Sequence, residues 1–130
     1  MEIVSSGDTE TRRGPAEWFT GSVFLEAASV PTPGAGFFRV FFEPEARTNW
    51  HTHPEGQFLH IVTGTGRVGT ENEPVVEVGA GDLIYFAPGE RHWHGAGAET
   101  YMVHVAITPA ISTAGGTDWL EPVTDEEYGL

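Results

Sequence analysis

The 130-residue chain has no cysteine and no lysine, and none of its hydrophobic runs approaches the length of a membrane span. The first absence removes disulfides, thiolate nucleophiles and sulfur metal ligands together, and leaves the redox compartment open. The second closes Schiff-base chemistry and pyridoxal phosphate attachment, both of which need a lysine amine. Positive charge is scarce as well: six arginines face nineteen acids, for a formal charge of −13. So acidic a molecule repels phosphate backbones and anionic lipid surfaces, which makes nucleic acid and membranes unexpected partners. The bland account of the acidity is a solvated, soluble surface. The N-terminal stretch MEIVSSGDTETRRGPAEWF has no apolar segment behind a basic start, and the expected location is the cytoplasm.

With 39% hydrophobic and 12% aromatic residues, the chain can bury the core of one domain. Seventeen glycines and nine prolines are spread along it, as expected for many short strands joined by turns. Residues 1–20 read as an N-terminal arm packing on a partner subunit, 21–110 as a β-barrel, and 111–130 as a C-terminal extension. WFTGSVFLEA opens the ordered part, with Val23 and Leu25 on one face of a strand, and VPTPGAG is a turn-rich loop. FFRVFFE, Phe37 to Glu43, is apolar on both faces, as in a strand buried on both sides or lying in a subunit interface. QFLHIVTGTGRVGT predicts a strand to Thr63, a Gly64-Thr65-Gly66 turn and a return strand. Further strands are expected around Val75 to Val78, Leu83 to Phe86 and in ETYMVHVAIT. Thr124 and Glu127 have capping-box spacing for a short terminal helix that needs docking to stand. Eight or nine strands without a long helix predict an all-β fold, a small closed barrel or jelly roll.

Two stretches carry chemistry. In WHTHPEGQ, His51 and His53 are two residues apart, so a strand would aim both imidazoles at one face. HWH repeats the arrangement with His92 and His94. Two such pairs can close around one cation, since neutral imidazole suits several divalent metals, although a single HxH also fits histidines that merely hydrogen-bond in a wall. His60 has the opposite parity to Gln57 on its strand and should face away from any such site.

The intervals sharpen the reading. From Glu45, five residues lead to His51, one to His53, three to Gln57 and six to Gly64. From Gly81, five lead to Ala87, one to Gly89, two to His92 and three to Ala96. In these two motifs the chain resembles the cupin superfamily over about Gly21 to Thr108, which implies a single-domain double-stranded β-helix, or jelly-roll barrel. Glu45, Ala87 and Ala96 depart from that pattern at turn positions, where it has glycine, proline and asparagine. Gln57 stands where most cupins have a ligating glutamate. Carried over residue by residue, the resemblance implies His51, His53, Gln57 and His92 as ligands of a divalent metal at the barrel's centre. With Gln57 neutral, the ion's charge stays unbalanced, the site becomes a stronger Lewis acid, and it holds the ion less tightly. The alternative is three histidines plus water, with Gln57 only bonding across the wall.

His94 shares a face with His92, and His104 shares one with Met102 and Ala106 in MVHVA; either could give and take a proton. GPAEWFTGSV, FEPEARTNWHTHPEGQ, PGERHWHGA and VTDEEY are similar to the small manganese cupins that include bacterial hydroxynitrile lyases. That resemblance implies manganese (iron, zinc or nickel being the alternatives), a homo-oligomer (dimer or tetramer), and cleavage or formation of cyanohydrins, with His94 or His104 as the proton carrier. Two other readings stay open: a metal-dependent dioxygenase or other oxidoreductase, and a non-catalytic small-molecule binder. Phe38, Phe42, Trp50 and Trp93 could line a pocket for an aromatic substrate or belong to core or interface.

Overall fold

The computed structural model describes residues 1–27, 34–109 and 116–130. After a 3₁₀ turn at Ser6–Asp8, the elements are β1 (Thr11–Arg13), β2 (Phe19–Thr20), β3 (Val23–Ala27), β4 (Ala35–Phe42), β5 (Arg47–Thr48), β6 (His51–Thr52), β7 (Gln57–Thr70), β8 (Val76–Gly79), β9 (Leu83–Phe86), β10 (His92–Ala96), β11 (Met102–Pro109), β12 (Asp118–Trp119) and α1 (Asp125–Tyr128). All pairings are antiparallel, and the strands form one curled sheet, the jelly-roll architecture expected from the turn-rich sequence. Part of the VPTPGAG loop, and the start of the C-terminal extension at 111–115, lie outside the described residues. No described helix is long and apolar enough to cross a membrane.

β7 organises the barrel. Its first half pairs with β11 and β9, its second with β10 and β8, so one strand serves both walls. The Gly64-Thr65-Gly66 reversal expected from sequence does not occur: the strand runs unbroken from Gln57 to Thr70. Gly64 adopts φ +80, and a Cβ there would collide with the Tyr101 carbonyl oxygen. Next to it, the pairing with β11 slips between Val103 and His104. Glycine and bulge together bend the strand from one wall to the other instead of turning it back.

The inward residues alternate as a half-buried strand requires. Gln57, Leu59 and Ile61 are buried along β7, and Met102, His104 and Ala106 along β11, whereas Phe58, His60 and Val62 are exposed. The core gathers Val23, Val40, Phe42, Leu59, Ile61 and Met102, among others, with Leu25 packed against it. FFRVFFE divides accordingly: Val40 and Phe42 are buried, and Phe37 is 43% exposed.

The arm and the extension both contribute strands to this chain's own sheet. β1 pairs β3, β2 pairs β5, and β12 pairs β6. A second core of Trp50, Trp93, Val123 and Tyr128 fixes the C-terminus. The Tyr128 hydroxyl donates to the Ala96 carbonyl at 2.7 Å, and its ring lies between the guanidinium groups of Arg47 and Arg67 at 4.7 and 4.8 Å. Arg47, itself buried, donates to the Val123 carbonyl and pairs with Asp125 at 2.7 Å. α1 carries the expected capping box of Thr124 and Glu127.

Glu45 takes φ +67, alone in that region among the described non-glycine residues, at the turn position where the sequence motif has glycine. Its left-handed backbone costs about 1–2 kcal/mol, offset in part by the entropy a glycine would lose on folding. Glu45→Gly is therefore expected to raise stability by about 0.5–1 kcal/mol, and Gly64→Ala to lower it by at least about 2 kcal/mol, both read from denaturant midpoints.

Candidate metal centre

His51 and His92 sit directly opposite each other on β6 and β10. His53 lies in the turn between β6 and β7, and its carbonyl accepts from the amides of Gly56 at 3.2 Å and Gly89 at 2.9 Å, which ties the turns of the two motifs together. Gln57 opens β7, His94 is two residues along β10, and His104 is on β11. All six side chains are buried, none more than 5% exposed. The ligand atoms of His51, His53 and His92 lie within 4.8 Å of one another. His60 points away to solvent.

The hydrogen bonds fix which nitrogen faces inward. His51 Nδ1–H donates to the Asn49 carbonyl at 2.9 Å, and His92 Nδ1–H donates to the Glu90 carbonyl at 2.8 Å. A carbonyl can only accept, so each neutral ring presents a bare Nε2 to the interior. Gln57 donates its amide to Thr108 Oγ1 at 3.3 Å, which turns its Oε1 inward, 3.2 Å from His92 Nε2. Neither of those two atoms carries a hydrogen. His53 Nδ1 is 3.3 Å from Thr117 Oγ1, and its Nε2 has no partner among the described residues. Converging lone pairs on buried neutral groups fit a divalent cation: three imidazole nitrogens and one amide oxygen.

Beside them, His104 Nε2 and His94 Nδ1 are 3.0 Å apart and share one proton. Phe42 packs on both rings, and Phe86 stacks on His92 with centroids 3.7 Å apart. Desolvation is the main cause that lowers every one of these imidazoles. His53 falls to about 4, and His92 and His104 to about 3. His51 and His94 are pushed well down as well, by burial and then by their histidine neighbours, His92 for the first and His104 for the second. All five are neutral at pH 7.

A cavity of about 310 Å³ opens onto His51, His53, Gln57, His94 and His104. Its apolar lining includes Leu25, Phe38, Val40 and Phe42, the last three on β4 beside the His104 strand. Trp18 and Trp119 stack at 5.1 Å and 7° and line it too, with the Trp119 ring 4.7 Å from that of His51. Phe38 and Phe42 thus line the pocket, while Trp50 and Trp93 belong to the second core.

Sequence reasoning missed Thr108, Thr117, Trp18 and Trp119. The first has the parity of His104 on its strand and could have been found. The other three reach the cavity through pairings distant in sequence, which no local pattern reports.

Residues 38–108 match the cupin domain family. The chain is 46% identical to the (R)-mandelonitrile lyase of Granulicella tundricola over 131 residues, covering 98% of each protein. A crystal structure of a cupin-like protein from Thermotoga maritima superposes with TM-score 0.83 at 35% identity, over 89% of each chain. The structure of a predicted oxalate decarboxylase from the same organism gives TM-score 0.72 at 20% identity, over 82% of this chain and 96% of the other, and supports the fold alone.

The depressed imidazoles make stability depend on pH. His53, His92 and His104 each bind a proton more readily unfolded, near 6.5, than folded, at about 4, 3 and 3, so their contribution is complete above about 6.5 and is lost as pH falls toward the folded values; His51 and His94 act in the same direction. In metal-stripped protein, the denaturant midpoint should begin to fall below about pH 6.5, before the carboxylates titrate, with about 1–2 kcal/mol lost per such imidazole by pH 5.

Proposed function

The chain belongs to the cupin family, and from that premise we propose that it is a metal-dependent hydroxynitrile lyase, cleaving cyanohydrins to aldehyde and cyanide and running the reverse addition. The observation that carries this is the full-length likeness to a mandelonitrile lyase. The neutral histidine pair facing an apolar cavity beside a cluster of bare donor atoms supports it.

In this reading His51, His53, Gln57 and His92 hold the ion, with manganese as the metal. When bound, the ion supplies a positive charge that polarises the substrate oxygen and attracts the departing anion. The apolar wall of Leu25, Phe38, Val40 and Phe42 holds the substituent of the carbinol carbon, and an aryl ring suits it. A neutral imidazole of the His94–His104 pair accepts the hydroxyl proton; the C–C bond to the nitrile breaks, its electrons leave with cyanide, and the oxygen's electrons form the aldehyde carbonyl. The same imidazole returns the proton to cyanide, so no net proton is consumed. Burial makes His104 a weak base, but the second ring at 3.0 Å can share the proton while it is held.

The test is benzaldehyde release from mandelonitrile by manganese-loaded and metal-stripped protein. Metal-dependent release is expected, and equal rates with and without metal would overturn the lyase reading. His104→Ala should cost about 10²–10⁴ in rate with metal content unchanged, because general acid–base groups contribute on that scale.

A homo-oligomer belongs to the same proposal. The outer face of β4, β7 and β9 exposes Phe37 at 43%, Phe58 at 46%, Val62 at 47%, Leu83 at 77% and Tyr85 at 54%, a patch suited to a second copy. Sedimentation should give a dimer or tetramer, and Leu83→Glu should shift it toward monomer.

A further inference from the structure

The three histidines of the metal cluster are not held alike. His51 and His92 each donate to the carbonyl two residues earlier, at 2.9 and 2.8 Å, so their tautomers are fixed by their own turns. His53 alone is met at Nδ1 by a side chain, the Thr117 hydroxyl at 3.3 Å, from 64 residues along the chain. A hydroxyl can accept or donate. As acceptor it leaves His53 Nε2 bare toward the cluster, and as donor it would put the ring proton there. Nε2 is buried and has no partner among the described residues, which suits the bare state.

Thr117 reaches His53 because the C-terminal segment is laid along β6. β12 pairs Asp118 with Thr52 and Trp119 with His51. Leu120 N donates to the Trp50 carbonyl at 2.8 Å, and Trp50 N to the Glu121 carbonyl at 3.0 Å. The Asn49 amide donates to the carbonyls of Glu17 at 2.9 Å and Leu120 at 3.0 Å, while its own carbonyl holds His51. At the far end, Tyr128 and Arg47 clamp the segment to the barrel.

We propose that Thr117 is the positioning residue for His53, so that the docked C-terminal segment completes the metal cluster and ion binding in turn tightens that docking. This rests on reading the cluster as a metal centre. A cation at the cluster demands the bare His53 Nε2, and the hydroxyl answers by accepting from Nδ1–H. The strands and turn of the two motifs supply four donor atoms, and the C-terminal segment settles the state of one of them, His53 Nε2.

The experiment is a titration of metal-stripped full-length protein with Mn²⁺ by calorimetry, in wild type, Thr117→Val and Thr117→Ser. Valine keeps the shape and removes the hydroxyl; binding should weaken about 10- to 100-fold, as for other partners of ligating histidines, and serine should restore it. The melting temperature of the metal-free variants reports folding, and Thr117→Ala replaces valine if the latter strains the site. Imidazole carbon and nitrogen shifts of His53 should show the Nδ1–H tautomer in wild type and a mixture in Thr117→Val. By reciprocity, Mn²⁺ should slow exchange of the Leu120 and Trp50 amides in wild type. Wild-type affinity in a folded Thr117→Val would overturn the proposal while leaving the metal centre standing. Failure of the wild type itself to bind Mn²⁺ would overturn both.

Discussion

The constraint on which the rest of the structure depends is the desolvation of five imidazoles and one amide in a single barrel interior. Burial of so many polar groups is unfavourable unless each finds a partner. Most of their outward atoms do: the carbonyls of Asn49 and Glu90 and the hydroxyls of Thr108 and Thr117 take them up. The inward atoms of His51, His53, His92 and Gln57 converge instead, an arrangement whose mutual repulsion a cation would relieve.

Much of the remaining architecture keeps that arrangement in register. The bend at Gly64 lets β7 carry Gln57 in one wall and pair with the His92–His94 strand in the other. The bond from Gly89 to the His53 carbonyl joins the two motif turns. Arg47, Tyr128 and the second core hold the C-terminal segment against β6, and Trp119 covers His51. The apolar half of the cavity then has a defined orientation toward the histidines, which is what selection of an apolar substituent needs.

The fold class and the grouping of the candidate site's histidines were legible because they are written in local pattern. Parity along a strand brings His51 to face His92, sets His104 inward and His60 outward, and the spacing of the two motifs places Gln57 beside them. The errors came where a tertiary neighbour decides the local geometry. Gly64-Thr65-Gly66 reads as a turn, but the Tyr101 carbonyl beside Gly64 and the slip opposite Val103 make it a bend in a continuous strand. Glu45 shows the converse: the turn keeps its left-handed backbone although the glycine is absent. Thr117 and Trp119 were not legible, since only the pairing of β12 with β6 brings them to the cavity.

The central claim is that these lone pairs converge on one ion. Anomalous diffraction at the manganese edge from crystals of manganese-loaded protein tests it most directly. A single peak per chain is expected, within coordination distance of Nε2 of His51, His53 and His92 and of Oε1 of Gln57. No peak in the barrel, or a peak ligated by other side chains, would contradict it.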